Sequence, residues 1–99
     1  MLLFVRNPYY AAICSGAKRY EMRAGSRDRH LRAGDQLSIN GRFRVTISRV
    51  EVFARPEEAS RASSAAGYFL SVPAIRACYP DYCPIYFFHF RHAAATMAA

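Results

Sequence analysis

A single lysine stands among thirteen arginines in this chain of 99 residues, and it opens a charged run: Gly16-Ala17-Lys18-Arg19-Tyr20-Glu21-Met22-Arg23. Arginine keeps its charge in a protein, whereas a lysine in a pocket can lose its proton and act as a base. It can also hold a phosphate or a carbonyl as a point charge. The residues after Gly16 read as a turn leading into a short strand. Side chains alternate along a strand, so Glu21 and Arg23 share one face with Arg19 beside them, and Tyr20 and Met22 face a core. Lys18 lies where the chain leaves the turn, so alternation does not fix its direction. An ammonium, a carboxylate and a guanidinium brought together can grip a polar, anionic ligand. Glu21 would accept from a base edge or serve as general base, and Arg23 would meet a phosphate or carbonyl. On an open strand face the same Glu–Arg pair would be a surface ion pair of little energetic weight.

The elements that must position these groups follow from local signals. Leu2 to Val5 is a short apolar strand. Asn7-Pro8 is a helix start, with Asn as cap and Pro in the first position. Tyr10, Ile13 and Cys14 share a helical face, which makes Cys14 a small buried hydrophobe, and Gly16 is a natural stop. Residues 24–34 form a polar connection whose Arg27, Arg29 and Arg32 read as a phosphate-contacting flap beside the charged run. Gln36 to Ile39 alternates, with Leu37 and Ile39 inward, and Asn40-Gly41 is a strong hairpin turn. In the return strand, Arg42 to Phe53, the apolar phase switches near Ser48-Arg49, which predicts a β-bulge. Pro56-Glu57-Glu58 starts a helix, with acids in its first turn. The Ala- and Ser-rich stretch from Arg61 to Gly67 is expected to fray. Ser71-Val72-Pro73 starts a further helix, Pro80 and Pro84 break the chain, and Ile85 to Phe90 is apolar on both faces, as a central strand requires. The pattern is α+β. Residues 1–91 read as one domain and residues 92–99 as a loosely ordered tail.

The formal net charge is +7, which suits a polyanionic partner, most simply nucleic acid, though an acidic protein would also serve. No apolar run is long enough to span a bilayer. Met1 to Val5 is too short for the core of a signal peptide, so the expected location is cytoplasmic. Three cysteines, Cys14, Cys78 and Cys83, make no paired framework, and a Cys78–Cys83 disulfide is not expected in that compartment. Cys78, Cys83, His89 and His92 have a spacing too short for the usual zinc finger, and the two histidines have opposite parity on a strand, so no metal or other cofactor is predicted. His30 is a secondary candidate base, and otherwise an exposed loop histidine. Tyr9, Tyr79 and Tyr82 are candidates to stack on a base at a cleft mouth, against a simpler packing role.

The pattern G-x-K-x-x-E-x-R, the preceding Asn7–Gly16 segment, the later Leu31-Arg32-Ala33-Gly34-Asp35-Gln36-Leu37, and Tyr79-Pro80 followed by Ile85–Phe90 together resemble the ASCH (activating signal cointegrator homology) family, a branch of the PUA-like β-barrels. The resemblance covers residues 2–91. It implies a small PUA-like barrel with short helices over its ends, and an RNA or nucleotide ligand, single-stranded if RNA, in a basic cleft. Lys18, Glu21 and Arg23 would line that cleft, with Arg27, Arg29 and Arg32 around it. Some members are amidohydrolases of N4-acylated cytidine. Their lysine matches Lys18, but their threonine nucleophile falls at Glu21, and the region of their catalytic glutamate offers only Glu57 and Glu58. A carboxylate cannot replace the hydroxyl nucleophile, which disfavours that activity. Other members resemble ribonucleases or RNA binders. Metal-independent RNA cleavage with Glu21 as base and Lys18 and Arg23 stabilising the phosphorane is chemically sensible. A binder, a ribonuclease and a protein-interaction module therefore stay open as alternatives.

Overall fold

In the computed structural model, which describes residues 2–25, 28–79 and 84–92, the chain forms five strands and three helices. In order they are β1 (Leu2–Leu3), α1 (Tyr9–Ser15), β2 (Tyr20–Ala24), β3 (Gln36–Ile39), β4 (Phe43–Phe53), α2 (Pro56–Ala65), α3 (Val72–Cys78) and β5 (Ile85–His92). The strands make one mixed sheet in the order β1-β3-β4-β5-β2. Only the β1–β3 pair is parallel. The ladder is open among the described residues, with β1 and β2 as its two edges, so the sheet is not closed into the expected barrel.

The alternation read from the sequence fixes which face each strand buries. Leu37, Ile39, Val45 and Ile47 are fully buried in one core with Leu3, Ile13, Leu31, Phe88 and Phe90. Tyr20, Met22, Ile85 and Phe87 turn to the other face, where Ala59 of α2 and Ile75 of α3 complete a second core. β5 contributes to both cores, which explains its apolar character on both faces. The predicted bulge is present as a register shift between Ile47 and Arg49. By inserting one residue it returns Val50 to the first core beside Val45 and Ile47.

Several local expectations need correction. β1 ends at Leu3, not Val5. Beyond it the chain is held by Asn40, whose side-chain oxygen accepts from Val5 N at 2.7 Å and whose amide donates to Val5 O at 2.9 Å. The Asn40-Gly41 turn, with φ of 54° and 70°, thus does more than reverse the chain. Pro8, not Asn7, occupies the capping position of α1, with no side-chain cap. Cys14 is exposed, because Ile13 takes the buried position and the next residue is rotated about 100° away from it. The Ala/Ser stretch does not fray. α2 runs to Ala65, and Ser63, fully buried, donates to Ser60 O at 2.7 Å and accepts from Leu70 N at 2.8 Å. Small residues there let the helix approach its neighbour closely. β5 takes in His92, the first residue of the expected tail, and residues 93–99 lie outside the described residues.

Candidate ligand cavity

Three elements converge along the free edge of β2. Gly16 ends α1 with φ 85°, a left-handed conformation that glycine adopts without a Cβ penalty. The chain then turns back, and Lys18 N donates to Ala12 O at 3.0 Å. That bond sets the direction that strand parity left open. The lysine side chain runs inward, leaving the residue only 2% exposed. Its ammonium donates to Tyr20 O at 2.9 Å and to Glu21 Oε1 at 3.1 Å. Glu21 Oε2 in turn lies 2.8 Å from a terminal nitrogen of Arg23. Alternation in β2 therefore does place Glu21 and Arg23 together, and Lys18 joins them as a third member.

Arg23 also spans the open side of the sheet. Its terminal nitrogen donates to Phe4 O, just past β1, at 2.7 Å, while its buried Nε has no hydrogen-bond partner. Between these edges and α3 lies a cavity of about 110 Å³. It is lined by Phe4, Val5 and Arg6, by Lys18, Glu21 and Arg23, by Tyr9 and Met22, and by Leu70, Ala74, Cys78 and Tyr79. Arg6, Lys18 and Arg23 against Glu21 leave the lining net positive.

Burial has a price at Lys18, chiefly desolvation, which lowers its pKa below the usual 10.5. Glu21 opposes that shift by charge and hydrogen bond, and Arg23 adds to it by repulsion. Aromatic rings offset part of the desolvation. The ammonium lies 4.6 Å from the centroid of Tyr20, 5.4 Å from Tyr9 and 5.9 Å from Tyr68, within cation–π range. Tyr79, pushed up to about 12 mainly by burial, donates to Met22 O at 2.8 Å and fixes the end of α3 against β2. Such a cluster can present an ammonium and a guanidinium to an anion or carbonyl. A carboxylate has about four acceptor sites, so Glu21 retains capacity to accept from a ligand.

The other sequence candidates lie elsewhere. Arg19 is exposed and faces a separate groove of about 360 Å³ with Arg49, Glu51 and His89, whose Nε2 is 2.6 Å from Glu51 Oε1. Arg29 and Arg32 are exposed and do not line the cavity, contrary to the expected flap. Their segment is tied to β4 instead: Leu31 is buried in the first core, Gly34 N donates to Ile47 O, and Ile47 N to Asp35 O. Arg27 and Tyr82 lie outside the described residues. His30 is exposed, Glu57 pairs with Arg76 at 2.9 Å, and Glu58 caps α2 by accepting from Ala54 N and Arg55 N at 3.2 Å. Tyr9 and Tyr79 do line the cavity. Cys78 is a free thiol, and among the described residues no three His, Cys, Asp or Glu side chains could hold a metal; Cys83 is outside them. Sequence reasoning missed Arg6 and Phe4. Their only signal was a place within or next to the expected Leu2–Val5 strand.

No protein-family model matches the chain, and no curated protein matches it. Among solved structures it is similar to the crystal structure of hypothetical protein PH0355, with a TM-score of 0.78 and 16% identity over 92% of this chain and 96% of that one. At that identity the likeness establishes a shared α+β fold and nothing about ligands. Among the described residues no helix is long and apolar enough to cross a membrane.

Proposed function

We propose that this chain is an ASCH-type, PUA-like domain that binds single-stranded RNA or a nucleotide-like ligand in the cavity beside β2. The observation that carries the reading is the buried Lys18 ammonium, held by Glu21 on the wall of a net positive cavity. Two charges taken out of water recover little stability, and apolar replacements of similar volume often do better. A buried pair at a cavity is therefore better explained by a ligand than by folding. The motif order, the net charge of +7 and the two aromatics Tyr9 and Tyr79 in the lining agree with a nucleotide. The bridge from Arg23 to Phe4 suits a barrel whose open side is the cleft.

Metal-independent RNA cleavage is the second reading, and the lowered Lys18 pKa beside a carboxylate favours it. Amidohydrolysis is weaker, since Glu21 stands at the nucleophile position with its oxygens engaged by Lys18 and Arg23. Labelled single-stranded RNA, incubated with the protein in chelator, separates the alternatives. A binder leaves the RNA intact and loses at least about tenfold in affinity on Lys18→Ala, about 1.4 kcal/mol. Cleavage that disappears in Lys18→Ala and Glu21→Gln identifies a ribonuclease. Weak binding that ignores Lys18 and simply fades with salt contradicts both, and leaves a basic face for an acidic protein.

A further inference from the structure

Phe4 is 73% exposed, more than any other large apolar side chain among the described residues, and it belongs to neither core. Isolated exposed apolar residues are ordinary on protein surfaces. Phe4 differs in its setting, for it lines the basic cavity and its backbone is held by side-chain hydrogen bonds. Arg23 holds its carbonyl, and Asn40 holds both the N–H and the carbonyl of Val5. An exposed aromatic ring is thus carried at the cavity on a backbone tethered to Arg23 and Asn40.

The cavity itself is small. At about 110 Å³ it falls well below the roughly 300–1,000 Å³ of pockets that enclose a whole drug-sized ligand. It has room for one compact group, a base or a phosphate, and the rest of any nucleotide strand must lie at the rim. We infer that the site engages two successive nucleotides of a single strand, one inserted toward Lys18, Glu21 and Arg23 and its neighbour stacked on Phe4. The natural ligand is then an oligonucleotide segment and not a free nucleoside or mononucleotide. The inference rests on the nucleotide reading above.

Calorimetric titration of the intact protein with pA and pApA, and with pC and pCpC, tests it. Stacking of a base on an aromatic ring corresponds to a gain of about five- to hundredfold, so each dinucleotide should bind at least fivefold more tightly than its mononucleotide. Phe4→Ala and Phe4→Leu should abolish that ratio, and Phe4→Trp should preserve it, since only Trp keeps a π face. Phe4 is exposed and outside both cores, so these variants are expected to fold, and circular dichroism checks that they do. Equal affinities of wild type for the two lengths, or a ratio unchanged in Phe4→Ala, overturns the inference while leaving the nucleotide reading intact. No binding of either length overturns both.

Discussion

Lys18 gives up hydration for two hydrogen bonds and three aromatic neighbours, and Glu21 is what makes that exchange tolerable. Removing one partner of a buried pair strands the other, at a cost of about 3 kcal/mol or more. Glu21→Ala is expected to lower the urea midpoint accordingly. Lys18→Met/Glu21→Leu is expected to recover wild-type stability to within about 1 kcal/mol, or exceed it, because neither charge then remains buried. The double variant should at the same time lose ligand binding. A double variant as unstable as Glu21→Ala would mean that the pair is there for the fold. Much of this cluster is legible from the chain, since the two-residue spacing of Glu21 and Arg23 and the alternation of a strand put them on one side. The burial of Lys18 is not, because it depends on a hydrogen bond from Lys18 N back to Ala12 O across the Gly16 turn. Phe4 and Arg6 are less legible still. Phe4 is tied to the cavity by a bond from Arg23, nineteen positions away in sequence, and Arg6 by one to Cys78 Sγ, seventy-two positions away.

At the scale of elements, the cavity wall formed by residues 4–6 is fixed by a hairpin turn that belongs to β3 and β4. Asn40 adopts φ 54° and spends both ends of its amide on Val5. Asn40→Gly keeps the backbone freedom and removes only the side-chain bonds, so it should cost about 1–2 kcal/mol and weaken the ligand along with the wall. Unchanged stability, read by thermal unfolding, would show that the segment is held by other means. The turn was visible as Asn-Gly, but its second role was not, because a side-chain bond spanning thirty-five residues leaves no local trace. The bulge in β4 was visible because it changes the phase of an apolar pattern. The length of α2 was misjudged for the opposite reason. Alanine and serine carry little apolar signal, and Ser63 is buried through hydrogen bonds to Ser60 and Leu70. The apolar face of α1 holds at Tyr10 and Ile13 and stops one residue short of the expected Cys14, which is exposed.

Across the whole molecule, three buried groups tie stability to alkaline pH in opposite directions. Below its lowered pKa Lys18 is charged in both the folded and unfolded chain, and the desolvation cost stands in full. As pH rises from that value toward 10.5, the folded lysine releases its proton first. The unfolded chain then binds more protons, so stability rises. Tyr79, pushed up to about 12, and Tyr20, raised further, both chiefly by burial, work the other way. Above pH 10, their usual value, the unfolded tyrosines ionise while the folded ones stay protonated, and stability falls. Wild type measured against Lys18→Met should therefore gain stability with pH up to about 10.5, and Tyr79→Phe should soften the loss above pH 10. Parallel pH profiles for wild type and Lys18→Met would contradict the burial of the ammonium.

The most direct test of the cavity as a nucleotide site is a ¹H–¹⁵N titration of the labelled protein with a short single-stranded RNA, repeated with Lys18→Met. Saturable shifts centred on Val5, Lys18, Glu21, Arg23 and Tyr79, and lost in Lys18→Met, are the predicted result. Shifts confined to exposed arginines such as Arg29, Arg42 and Arg44, unchanged in the variant and erased by moderate salt, would contradict it.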